Sequence, residues 1–135
     1  MSERKHVGGC MCGAVRYEAT GEEFVLYCHC NSCRRATGAV VATFVAFAPE
    51  QVMFTKGQRK FYESSPGVKR AFCGDCGTPL TWEGVWNGEG VTEFYISTLD
   101  DPAGYSPRYH EFYSEKIPWF EISDDLPRHE NAAQD

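Results

Sequence analysis

All seven cysteines of the 135-residue chain fall into three tight clusters, and this pattern constrains the fold more than any other feature. Cys10 and Cys12 form C-x-C. Cys28, Cys30 and Cys33 form C-x-C-x-x-C, and Cys73 and Cys76 form C-x-x-C-G with Gly77. An odd count rules out complete internal disulfide pairing. The opening residues, MSERKHVGG, are polar and unlike a signal peptide, and no apolar run approaches the roughly 20 residues of a membrane span. The expected setting is the reducing cytoplasm, where clustered thiols favour metal over disulfides. Scattered core cysteines or a redox pair are the competing explanations.

Strand geometry sorts the ligands. Alternate residues of an extended segment share a face, so Cys10 and Cys12 point together, as do Cys28 and Cys30, while His29 points the other way. The C-x-x-C-G element reads as a tight turn gripping one ion, with Gly77 permitting a left-handed backbone. A turn with two thiolates needs two more ligands to complete a tetrahedron, and Cys10 and Cys12 are the natural supply. Cys28, Cys30 and Cys33 are close enough to share a second ion. Zinc suits thiolates better than magnesium or calcium, with iron or an iron–sulfur cluster as the minor alternative. Four protein ligands close a structural site, whereas three leave a coordination position for water or substrate. The competing reading is a second structural site, completed by His29, a distant histidine or a carboxylate.

The rest of the chain reads as many short strands in one domain, residues 1–128, with a polar and flexible tail at 129–135. Strand candidates are Gly13–Thr20, Phe24–Tyr27, Val40–Phe47, Val52–Thr55, Lys60–Ser64, Lys69–Cys73, Leu80–Trp82, Phe94–Ser97 and Tyr109–Tyr113. Lys56-Gly57, Ser65-Pro66-Gly67, Asn87-Gly88 and Gly90 supply the turns between them. One short helix is expected over Ser32–Thr37, ended by Gly38, and a brief turn at Asp100-Asp101-Pro102. The class is mainly β, with metal-bearing loops pinning the strands and very little helix. Nine Phe, seven Tyr and three Trp supply a core. A net charge of −6 argues against nucleic acid as a partner, and nothing points to a membrane. Oligomeric state is not legible.

Four stretches carry a family resemblance: GGCMCGAVRYEA (8–19), CHCNSCRRATGA (28–39), FTKGQRKFYESSPGVKRAFCGDCGTPL (54–80) and KIPWFEISDDLP (116–127). In this order they resemble the glutathione-dependent formaldehyde-activating enzyme family, whose domain is shared with centromere protein V. The resemblance implies a β-tent fold of antiparallel sheets. It implies a structural zinc on Cys10, Cys12, Cys73 and Cys76 and a catalytic zinc on Cys28, Cys30 and Cys33. It also implies a carbon–sulfur lyase that joins glutathione and formaldehyde, or parts their adduct S-hydroxymethylglutathione.

The chemistry suits such a site. A thiol bound to zinc loses its proton and becomes a nucleophile at neutral pH. Three thiolates give the ion an overall charge of about −1, which weakens its power to acidify water, so thiol substrates are favoured over hydrolysis. The expected ligand is a small thiol such as glutathione, or its aldehyde adduct. No motif reads glutathione; Arg34, Arg35, Lys69 and Arg70 are the cations able to meet its carboxylates. Trp82, Trp86 and Trp119 could line a pocket or fill the core. The alternatives are a non-catalytic, zinc-stabilised binding module and a redox sensor using Cys30 and Cys33.

Overall fold

The computed structural model describes residues 3–133. Its strands are β1 (Lys5–Gly9), β2 (Arg16–Thr20), β3 (Phe24–Cys28), β4 (Ala42–Phe47), β5 (Val52–Lys56), β6 (Arg59–Ser65), β7 (Val68–Cys73), β8 (Pro79–Trp86), β9 (Glu89–Tyr95) and β10 (His110–Glu111). One helix, α1 (Asn31–Thr37), and a few 3-10 turns complete the described residues. A three-stranded sheet runs β1-β2-β5, and a seven-stranded sheet runs β10-β3-β4-β9-β8-β7-β6. Every neighbouring pair is antiparallel except β10, which lies parallel to β3. This is the mainly β architecture of antiparallel sheets expected of a β-tent.

The period of two along each strand gives the large sheet two different faces. Val25, Val45, Phe47 and Phe94 face the small sheet and pack against Tyr17 and Ala19 of β2. Tyr17 stacks on Phe94 with centroids 3.8 Å apart, and its hydroxyl bonds Thr98 Oγ1 at 2.7 Å. The opposite face carries Leu26, Cys28, Phe44, Ala46, Val91 and Tyr95. Among the described residues no second sheet covers that face, and there the cavity described below opens.

Several local expectations hold. The helix begins one residue earlier than expected, and Cys30 caps it: its sulfur accepts from the Cys33 N–H at 3.3 Å. Gly38 ends it in the left-handed region at φ 72°. Asn87 and Gly88 both take positive φ, as a tight hairpin between β8 and β9 demands. Other boundaries move. Strand β9 covers Glu89–Tyr95, and Ile96–Thr98 is a 3-10 turn rather than the end of a Phe94–Ser97 strand. The expected Tyr109–Tyr113 strand shrinks to two residues. Strand β1 lies where the sequence reads as merely polar, because His6 is buried with both ring nitrogens satisfied by Tyr105 Oη at 2.6 Å and Gly21 O at 2.8 Å. Within the segment expected as a tail, His129 and Asn131 carbonyls accept from Tyr113 and Phe112, and Ala133 is buried. Residues 134–135 of that segment, and residues 1–2, lie outside the described residues.

Candidate metal centres

The structure gathers the seven cysteines into the two groups that spacing suggests. Cys10, Cys12, Cys73 and Cys76 bring their sulfurs within 4.8 Å of one another, and so do Cys28, Cys30 and Cys33.

The first group joins two turns. Cys10 follows β1, and its carbonyl accepts from Gly13 N; Cys73 ends β7, and its carbonyl accepts from Gly77 N at 2.9 Å. Gly77 adopts φ 79°, the left-handed conformation its place in C-x-x-C-G predicts. Cys10 and Cys12 sulfurs stand 3.7 Å apart, and Cys12 and Cys73 sulfurs 3.8 Å. Four sulfurs at tetrahedral corners about 2.3 Å from a zinc would be separated by about 3.8 Å. The donor set and its spacing therefore fit zinc, and the separations are far too long for disulfides. Backbone N–H groups of Val15, Asp75 and Cys76 also point at sulfurs, at 3.2, 3.4 and 3.5 Å, as suits thiolates.

The second group is local. Cys28 ends β3, Cys30 caps α1, and Cys33 lies in its first turn. Cys28 and Cys33 sulfurs are 3.6 Å apart, again close to a tetrahedral edge. Hydrogen bonding from the Cys28 and Cys33 thiols holds the Cys30 thiol far below its ordinary range. The Arg70 guanidinium approaches from β7, with both terminal nitrogens 3.7 Å from Cys33 Sγ. Among the described residues, no histidine or carboxylate joins this trio. His29 faces away, as strand alternation requires. Its Nε2 lies 2.9 Å from His110 Nδ1, and His110 Nε2 reaches Asp124 at 3.0 Å. The His29 Nδ1 is buried without a partner.

A cavity of about 390 Å³ opens beside the trio and is walled by all three cysteines. A larger hollow of about 680 Å³ elsewhere meets only Cys10 of the seven. The floor of the first cavity is a row of cross-strand partners, Phe24–Ala46–Glu93–Trp82–Arg70, running across β3, β4, β9, β8 and β7. Glu93 sits mid-row, and its side chain forms no hydrogen bond or ion pair among the described residues. Burial, helped by the nearby Glu111, pushes its carboxyl up to about 8. Burial also pushes Glu111, beside Cys28 across β10 and β3, up to about 7.

The other sequence candidates divide clearly. Of the four cations, only Arg70 lines the cavity. Arg34 is tied to the carbonyls of His29 and Glu115, Arg35 is exposed, and Lys69 lies over the Phe61 ring. Trp82 and Trp86 both pack on the core and line the cavity, while Trp119 is exposed. The sequence reading missed Glu93 and Glu111. The signal for Glu93 is its alternation with Val91 and Tyr95, which puts a carboxylate on an otherwise apolar face.

Residues 5–115 match the family model described as glutathione-dependent formaldehyde-activating enzyme. An uncharacterized lyase of Schizosaccharomyces pombe is 34% identical over 77 residues, which are 56% of this chain and 56% of that protein. The match thus spans about half the length of that curated relative. A crystal structure of a Rhodobacter sphaeroides protein superposes with a TM-score of 0.59 at 25% identity, covering 76% of this chain and 92% of the other.

Proposed function

Because the chain belongs to the glutathione-dependent formaldehyde-activating enzyme family, we propose that it is a carbon–sulfur lyase acting on an adduct of an aldehyde with glutathione or another thiol. The reactive centre is a zinc site on Cys28, Cys30 and Cys33, and Cys10, Cys12, Cys73 and Cys76 hold a structural zinc. The observation that carries this reading is the trio of thiols on a cavity wall, with no fourth ligand among the described residues. The S. pombe relative named as a lyase supports the same reaction class.

Zinc held there would keep a substrate sulfur as thiolate, both a nucleophile toward a carbonyl and a good leaving group in reverse. The chain's own residues supply the setting. Arg70, against Cys33, offsets the negative charge that gathers when three thiolates meet another sulfur. Apolar walls limit water that would compete for the aldehyde. Adding a thiol to an aldehyde forms a carbon–sulfur bond, and the carbonyl oxygen gains a proton. The reverse step breaks that bond, and the hydroxyl gives the proton up. A carboxyl that titrates near neutrality, as Glu93 does, is suited to carry this proton.

The test is adduct formation from a thiol and formaldehyde, followed as loss of free thiol above the uncatalysed rate. The zinc-loaded protein should accelerate it, and Cys30→Ser should remove the acceleration at least about a hundredfold. In cobalt-substituted protein, one of two sulfur-to-cobalt bands should respond to added thiol. No acceleration with any thiol–aldehyde pair, together with cobalt bands indifferent to thiols, would replace the lyase with a zinc-stabilised binding module.

A further inference from the structure

The cavity beside the three cysteines has the wrong charge pattern for a glutathione-like tripeptide, which brings two carboxylates and one ammonium. Glu93, Glu111 and Glu115 line it, against a single cation, Arg70. Four of the five N–H donors of Arg70 are already engaged: Nε with Ser64 Oγ at 3.2 Å, Nη1 with Tyr95 Oη at 3.2 Å, and both terminal nitrogens with Cys33 Sγ. An entering carboxylate would lose water and meet, among the cavity's cations, a single remaining N–H of Arg70, which is too little to replace its hydration. The remaining walls are apolar, with Phe44, Trp82, Trp86 and Val91 among them. Trp82 and Trp86 also belong to the sheet face that packs on the core, so they stand as fixed walls. About 390 Å³ leaves room for a ring and a short chain ending in sulfur.

We propose that this cavity takes a thiol whose body is an apolar, ring-sized group without a carboxylate, received between Trp82 and Trp86. The proposal rests on the three-cysteine group being the reactive centre, and it narrows the substrate from thiols in general to uncharged, hydrophobic ones. Glu93 on the floor then suits a neutral guest: it lines the cavity as a polar group and brings no cation that a carboxylate could pair with.

The experiment uses three probes on the zinc-loaded full chain: 2-phenylethanethiol, 2-phenylethanol and glutathione. Trp82 and Trp86 report occupancy by fluorescence, over the constant background of exposed Trp119. Cobalt-substituted protein reports separately whether sulfur reaches the metal. Both phenyl compounds should quench fluorescence, and the phenyl thiol should bind at least about tenfold more tightly than glutathione. By calorimetry, Trp86→Ala should weaken the phenyl thiol about tenfold and leave glutathione nearly unchanged. Glutathione binding as tightly as the phenyl thiol would overturn the proposal, while a cobalt response to both thiols would keep the lyase reading. Quenching by both phenyl compounds with cobalt bands unmoved by any thiol would keep the cavity's preference and remove the reactive centre. Absence of quenching by either phenyl compound would overturn the proposal whatever the cobalt bands do.

Discussion

Glu93 is a carboxyl group set between Ala46 and Trp82 in the middle of a sheet, where an apolar residue would pack better. Its carboxyl titrates near 8 in the fold, against an ordinary 4.5. Between those values the unfolded chain has released the proton and the folded chain still holds it. Unfolding therefore releases a proton, and this group's contribution to stability falls as pH rises from about 4.5 to about 8. Glu93→Gln should be as stable as the parent at pH 4 and more stable at pH 8, by on the order of 1 kcal/mol. That is well below the full shift, since the cavity admits water. Urea unfolding of both proteins at the two pH values measures it, and metal-linked effects cancel in the difference. If Glu93 also carries the proton in catalysis, the parent's rate should fall as pH climbs through about 8, and the variant should be slow and lack that limb. An unchanged pH profile in Glu93→Gln would remove Glu93 from the chemistry.

At the scale of elements, two glycines separate two physical costs. Gly77 has φ 79° and open space around the position of a Cβ, so Gly77→Ala meets only backbone strain. A loss of about 1 kcal/mol is expected. Gly8 has an ordinary φ, but a Cβ there would run into the Tyr17 ring and the Thr98 carbonyl. Gly8→Ala should therefore cost more, about 2–3 kcal/mol, because the buried Tyr17–Phe94 stack must shift. Denaturant midpoints rank the two; a reversed order would mean the sheets part more easily than their packing suggests. The same two positions show what was legible in the sequence. The Cys-x-x-Cys-Gly turn announces its left-handed glycine by spacing alone. The apolar run ending at Phe47 announces β4, and Asn87-Gly88 announces a hairpin. Strand β1 is silent because its inward residue is His6, whose burial depends on Tyr105 and Gly21, distant in sequence. Strand β10 falls inside the expected Tyr109–Tyr113 strand, but at two residues and pairing in parallel it has no periodicity to fix its bounds.

For the whole molecule, the partition of cysteines was legible because ligand spacing is local, and the structure gathers the same two groups. The cavity was not, since its floor is assembled from five strands whose order no short window of sequence reveals. The two groups also stand differently in the chain, and this separates their contributions to stability. The four-cysteine group ties the turn between β1 and β2 to the turn between β7 and β8, with Cys12 and Cys73 61 residues apart. A metal there would hold a long loop closed and clamp the small sheet to the large one, so much of its binding energy would be folding energy. The three-cysteine group spans one continuous segment, β3 into α1, and its loss opens no long loop. Elemental analysis should find two zinc ions per chain. Under a limiting chelator, the first should leave with the far-ultraviolet dichroism unchanged. The second should leave only as cooperative structure is lost. Cys33→Ser should retain about one zinc and the fold. Cys73→Ser should lose cooperative unfolding, since a structural zinc contributes on the order of 10 kcal/mol. A single zinc in protein grown with ample metal would remove the two-ion arrangement. Equal loss of folding in both variants would show the three-cysteine group to be a second structural clamp rather than a site free to take substrate.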